Sequence, residues 1–310
     1  MPIKNIFCNF SIFDKFFYIC LFAITATSIF LLGINLVFFK YIGVAYFINL
    51  YVFVLFCCLL LSLVSSFIRA DYPKTYGVLH GYAQYICLIL VNVLFIQAVQ
   101  YSPFDTIDNL LRSADNFIGF NNVSALQYVY SVGIVKYLLF FYYSFTYEVF
   151  ALPFAALFFI SRVHFCKFLL SSLIVFIVIA LAYYFFPAKN PSSVYNSNLF
   201  LPDAYLTGIK FDDVHAFIKY PFAEASGGIF VCPSPHVAIS LLLSYLWLEY
   251  KPVFIVIALY NLIVSMSAVL LGFHYLVDAL LALFLVVCSI IIVEMLLDRS
   301  HSDACIEKVL

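Results

Sequence analysis

Val231-Cys232-Pro233-Ser234-Pro235-His236-Val237-Ala238 and Ser267-Ala268-Val269-Leu270-Leu271-Gly272-Phe273-His274-Tyr275-Leu276-Val277-Asp278 are the two stretches that decide how the chain is read. Each stands at the border of an apolar run, so two histidines and a carboxylate lie where membrane spans meet water. His274 and Asp278 are four residues apart, a spacing that puts both on one face of a helix. The carboxylate can then take one ring N–H of the imidazole and leave the other nitrogen as an outward lone pair. His236 starts a different helix and can approach the same point. Two imidazoles and an orienting acid suit attack on phosphorus, with one nucleophile, one general acid and one aligner. A metal centre is the other use of such a set, but no fourth ligand stands at a convincing spacing.

Outward from these stretches, composition fixes the class. The chain has 310 residues, 66% hydrophobic and 10% charged, with mean hydropathy +1.09. Soluble domains carry about 25% charged residues, so this reads as an integral membrane protein built as an all-α bundle. The net charge of −1 points to no class of partner, and without a basic stripe to meet a phosphate backbone nucleic acid is excluded. Nine cysteines contain no C-x-x-C pair. Most lie in apolar runs; Cys232, beside the motif, reads as a packing residue in preference to a reactive thiol.

Eight apolar runs near 16–39, 45–68, 76–98, 134–160, 165–186, 235–250, 252–272 and 275–297 are long enough, or nearly so, to cross a bilayer of about 30 Å. The first is too long for a cleavable signal and reads as a span. Nine lysines and arginines collect on one side of this arrangement and six on the other, which predicts cytoplasmic N- and C-termini. Both motif halves then face the periplasm, lumen or exterior. The expected organisation is N-terminal spans plus an interfacial helix over 1–130, a catalytic membrane core over 131–300, and a cytoplasmic tail over 301–310.

Between the third and fourth runs, Phe104, Ile107, Leu111, Ala114 and Ile118 recur at helical spacing with acids on the other face. That pattern predicts a helix lying on the membrane and ended by Gly119. Asn122-Val123-Ser124 fits a glycosylation acceptor. The polar loop over 187–232 reads as a cap above the histidines, with aromatics such as Tyr195, Phe200, Tyr205 and Phe211 packing on the membrane surface. Glu148, near the middle of the fourth run, reads as a protonated, hydrogen-bonded structural acid, and His80 and Gln84 as helix-contact groups. Ser234 is a good N-cap and Pro235 suits a first helical turn, so the free N–H groups of that helix become a natural phosphate site. Gly272 permits close backbone approach.

Pro233-Ser234-x-His236 followed by Ser267-x6-His274-x3-Asp278 resembles the type-2 phosphatidic acid phosphatase superfamily of membrane phosphatases and phosphotransferases. The resemblance implies that His274 is the nucleophile and forms a phosphohistidine, that Asp278 aligns it, and that His236 protonates the leaving oxygen and then activates the acceptor. Departures narrow the reading. Arg-Pro occurs nowhere, Ala268 replaces an arginine, and Pro235 replaces a glycine. Ser234, Ser267 and Gly272 remain as phosphate-binding candidates, with Lys136, Lys210, Lys219 and Arg112 as substitute cations. Few cations fit a singly charged diester better than a dianionic monoester. That departure and the Asp-rich helix ending in Gly119-Phe120 are similar to the inositol-phosphoceramide-synthase-like branch.

The expected activity is therefore transfer of a phospho-headgroup between membrane lipids. Hydrolysis of a lipid phosphate monoester is the alternative, and a non-enzymatic protein retaining the fold is the third reading. A serine–histidine protease built on Ser226 ranks last, because that serine lies in a loop. Lipids and the bilayer are the expected partners; no cofactor or metal is implied, and nothing in the sequence indicates an oligomeric state.

Overall fold

A helix needs about twenty apolar residues to cross a bilayer, because each residue advances it by only about 1.5 Å. In the computed structural model, six helices meet that requirement among the described residues: Phe13–Ile34, Lys74–Val99, Val135–Phe159, Arg162–Phe185, Lys251–Leu270 and Leu276–Leu297. The structure describes residues 12–39, 56–58, 60–61, 63–64, 71–99, 102, 104–195, 197–216 and 232–306. The apolar run at 45–68 falls mostly outside them. Every element along the described chain is helical, and the spans make this an integral membrane protein.

Contacts divide the chain into two units, Met1–Val99 and Gln100–Leu310. In the first, α1 (Ile12–Phe39) packs on α2 (Pro73–Val99) through Leu32, Leu94 and Ala98. Asp14 is buried between them, accepts a 2.8 Å hydrogen bond from Gln84 Nε2, and lies 3.2 Å from His80 Nε2. His80 and Gln84 are therefore helix-contact groups, as expected, and Asp14 is what they contact.

The second unit contains α3 (Asp108–Phe117), α4 (Asn122–Ser131), α5 (Val135–Phe159), α6 (Arg162–Phe185), α7 (Pro191–Val194), α8 (Pro202–His215), α9 (Pro235–Leu246), α10 (Lys251–Leu270) and α11 (Leu276–Ile306). Its centre is α9, which packs against α5, α6, α10 and α11 and buries Val237, Ala238, Ser240 and Leu242 through Leu246. With 12 residues it reaches only about 18 Å, so the 235–250 run does not form a helix long enough to span. The surrounding helices turn Phe140, Phe150, Phe158, Ile255, Leu259, Leu280, Phe284 and Ile291 outward. So much apolar surface is stable only against lipid.

Two expectations about the polar segments are corrected here. Helix α3 packs within the second unit, against α11 and α7. It buries Asp108, Leu111 and Asp115 and leaves Leu110 and Phe117 exposed, Phe117 at 91%. The acids read as solvent-facing point inward, because the motif beneath them presents unpaired donors. In the loop after α6, Tyr195, Phe200 and Phe211 are buried within the unit's own packing and not laid on a membrane surface. Asn190 ties this layer together by donating from Nδ2 to the Ala204 carbonyl at 2.6 Å. Residues 217–231 of the same loop lie outside the described residues.

Glu148 is buried in α5, and neither carboxyl oxygen has a hydrogen-bond partner among the described residues. The expected hydrogen-bonded acid is thus buried but not paired.

Candidate active site

The first half of the motif is built by a cap. Ser234 takes extended backbone angles, its Oγ accepts from the Val237 N–H at 3.4 Å, and Pro235 occupies the first turn of α9. Proline loses nothing there, since that N–H has no helical partner. The Ser234 N–H donates to the Asp278 carbonyl at 3.3 Å, which joins the start of α9 to the start of α11.

The second half turns on Gly272. Helix α10 ends at Leu270, Gly272 has φ +77°, and the N–H groups of Phe273 and His274 both donate to the Ala268 carbonyl at 3.1 Å. Left-handed backbone at this position favours glycine, and a Cβ would also run into the Phe200 ring. The close approach expected at Gly272 is therefore that of an aromatic side chain from the cap.

His274 lies in the turn before α11, not on the helix with Asp278. Asp278 is the third residue of α11, and its Oδ2 accepts from the Tyr275 N–H at 3.0 Å, closing the reciprocal half of a capping box. The same oxygen stands 3.9 Å from His274 Nδ1, an ion-pair contact longer than a hydrogen bond. The Cys232 thiol lies beside this carboxylate, and burial pushes it up, away from the thiolate form.

The two histidines meet: His236 Nδ1 is 3.1 Å from His274 Nε2. An aromatic bracket holds the pair. Tyr142 stacks on Phe273 at 4.2 Å and on His236 at 4.9 Å, and Phe145 lies 5.1 Å from His236. These three aromatics were not expected at the site, since an aromatic residue in an apolar run carries no signal beyond burial.

The more informative omission is a row of polar side chains. Asp115 accepts from the N–H groups of Leu276 at 3.0 Å and Val277 at 2.8 Å. Asp108 accepts from the Tyr275 hydroxyl at 3.0 Å and from the Lys189 N–H. Asn122 Nδ2 donates to the His274 carbonyl at 3.3 Å. Burial pushes both Asp108 and Asp115 up, opposed by these donors. Asn122 is 1% exposed, so the glycosylation reading of that tripeptide is overturned. Asp108 and Asp115 lie seven residues apart, about two turns along α3, but Asn122 opens α4 beyond the left-handed Gly119, so no single helical spacing marked the three.

The remaining candidates fall elsewhere. Ser267 is buried, and its hydroxyl donates to the Ile263 carbonyl of its own helix at 2.7 Å. Lys136 is exposed and lies 5.0 Å over the Tyr137 ring, outside the histidine cluster. The Lys210 side chain and Lys219 lie outside the described residues. Arg112 sits on α3 with its guanidinium 4.9 Å over the Tyr195 ring. Among the described residues, no group of three or more His, Cys, Asp and Glu is placed to hold a metal ion.

A family model described as the PAP2 superfamily matches residues 109–292, more than half of the chain, and that range contains both histidines and Asp278. No curated protein and no solved structure matches the chain.

Proposed function

The chain belongs to the PAP2 superfamily, and from that premise we propose that it transfers a phospho-headgroup from one membrane lipid to another through a phosphohistidine on His274. Membership alone places its chemistry among lipid phosphatases and phosphotransferases. The observation that carries the finer reading is the 3.1 Å contact between His236 Nδ1 and His274 Nε2, with Asp278 behind the far nitrogen of His274.

One hydrogen fits between two nitrogens at that distance. Assigning it to His236 leaves a lone pair on His274 Nε2 and puts the other His274 proton on Nδ1, toward Asp278. A donor phosphodiester entering between the rings is attacked by Nε2. The P–O bond to the donor lipid's alcohol breaks, and its oxygen takes the His236 proton. His236 then removes the proton of an acceptor alcohol, whose oxygen attacks phosphorus as the P–N bond breaks. The buried Asp278 carboxylate stabilises the positive charge that His274 carries in between.

Charge supports a diester. Asp108, Asp115 and Asp278 surround the second half of the motif, while Lys189 pairs with Asp212, Lys167 with Glu294, and Arg112 lies over Tyr195. A monoanionic phosphate meets less repulsion there than a dianion. Together with the missing Arg-Pro motif, this supports a likeness to the inositol-phosphoceramide-synthase-like branch. The lysine and arginine distribution supports a site on the outer membrane face with both termini cytoplasmic.

The test uses purified protein and His274→Ala in chelator, with labelled phospholipids and lipid phosphates. A new headgroup-bearing lipid without free phosphate is expected. Release of free phosphate instead would make the protein a phosphatase, and turnover surviving in the variant would sink the phosphohistidine.

A further inference from the structure

The backbone from His274 to Val277 is gripped from one side by three side chains seven residues apart. Asn122 holds the His274 carbonyl, Asp108 the Tyr275 hydroxyl, and Asp115 the N–H groups of Leu276 and Val277. All three are at least 96% buried, with Asp115 fully so. We infer that Asp115, Asp108 and Asn122 are positioning residues of the reaction, which set where His274 stands relative to His236.

Three physical points carry this. First, the N–H groups of Leu276 and Val277 open α11, and a helix has no backbone acceptors for its first donors. Asp115 satisfies two of them with one carboxylate, and its charge faces the positive end of the helix dipole. Second, Asp278 takes the preceding N–H, that of Tyr275. The N–H groups of Tyr275, Leu276 and Val277 are thereby held by two carboxylates and are not free to bind phosphate. Phosphate is left to the start of α9, on the His236 side. Third, the grip comes from α3 and α4, whose sequence positions are far from the motif. His274 itself is in no helix, so its ring depends on these bonds and on Gly272 for its place. Near-attack geometry is sensitive at the ångström level, where a misplacement of about 1 Å can cost about a hundredfold in rate.

Because this inference rests on the proposed reaction, the experiment separates the two. Wild type, Asp115→Asn and Tyr275→Phe are purified in detergent and assayed for headgroup transfer, with kcat, KM, thermal midpoint and the pH–rate profile measured for each. The amide of Asp115→Asn can accept one N–H but turns its own donor toward the other. Tyr275→Phe removes only the hydroxyl that Asp108 holds. The expected result, at a temperature well below every midpoint, is a kcat lowered by about a hundredfold in Asp115→Asn and about tenfold in Tyr275→Phe, with KM unmoved, a loss larger than any change in midpoint explains, and the acid limb of the profile shifted in Asp115→Asn. An unchanged kcat in both variants would overturn the inference while leaving the reaction intact. So would losses that follow the midpoint, including failure of both variants to fold, since the row would then be structural only. A wild type without turnover on any lipid would overturn the reaction and, with it, the inference.

Discussion

Nδ1 of His236 and Nε2 of His274 lie 3.1 Å apart, within hydrogen-bond distance, on residues 38 positions distant in sequence. Their contact is made by the N-terminal turn of α9 meeting the turn between α10 and α11. The roles proposed for the two rings are not interchangeable, and their variants should differ.

His274→Ala should abolish both turnover and any covalent phosphoenzyme trapped by alkaline quench of labelled donor. His236→Ala should lower kcat by about 10²–10⁴-fold, the range for loss of a general acid–base, while the nucleophile remains. Labelled phosphoenzyme persisting in His274→Ala would mean that another residue carries the phosphoryl group.

Gly272→Ala should destabilise the protein by more than about 1 kcal/mol, because alanine is strained at φ +77° and its Cβ meets Phe200. Adding Phe200→Ala should recover part of the loss by removing the collision, though not the backbone strain. Strictly additive midpoints in the double-mutant cycle would show that the ring and the glycine do not interact.

Asn122 should carry no glycan. Expressed in a glycosylating host, wild type and Asn122→Gln should differ in mass only by the methylene that the substitution adds, since the amide is buried and bound to the His274 carbonyl. A mass difference equal to one glycan would show that α4 does not pack as described.

Asp115 binds its proton more tightly in the folded protein than in an unfolded chain, because burial outweighs its two donors. The folded state then holds more protons between the ordinary carboxylate range and the raised value. Its contribution to stability is full below that window and declines as pH rises through it. The thermal midpoint of the wild type should therefore fall relative to that of Asp115→Asn as pH rises from the ordinary carboxylate range. The opposite drift would mean that the donors, not burial, dominate.

The local half of this protein was legible in sequence. Apolar run length foretold six spans among the described residues, though not the short α9, Ser234-Pro235 foretold where α9 starts, and the motif foretold that His236, His274, Gly272 and Asp278 would cluster. The first two depend on residues within a few positions of one another, where backbone stereochemistry and helix geometry leave little choice. Even so, the four-residue spacing of His274 and Asp278 suggested one helix, whereas the pair is brought together by a cap at the start of α11.

What only the tertiary structure decided is which distant groups complete the site. Asn122 reaches His274 across 152 residues, Asp115 reaches Leu276 across 161, and Asp108 reaches Tyr275 across 167. An amphipathic pattern says that one face of α3 is polar, and in water that face would turn outward. Here the opening turn of α11 holds unpaired N–H groups, and leaving such donors buried costs more than burying the carboxylates that satisfy them. Sequence spacing carries no record of that competition, so the direction in which Asp108 and Asp115 point had to come from packing.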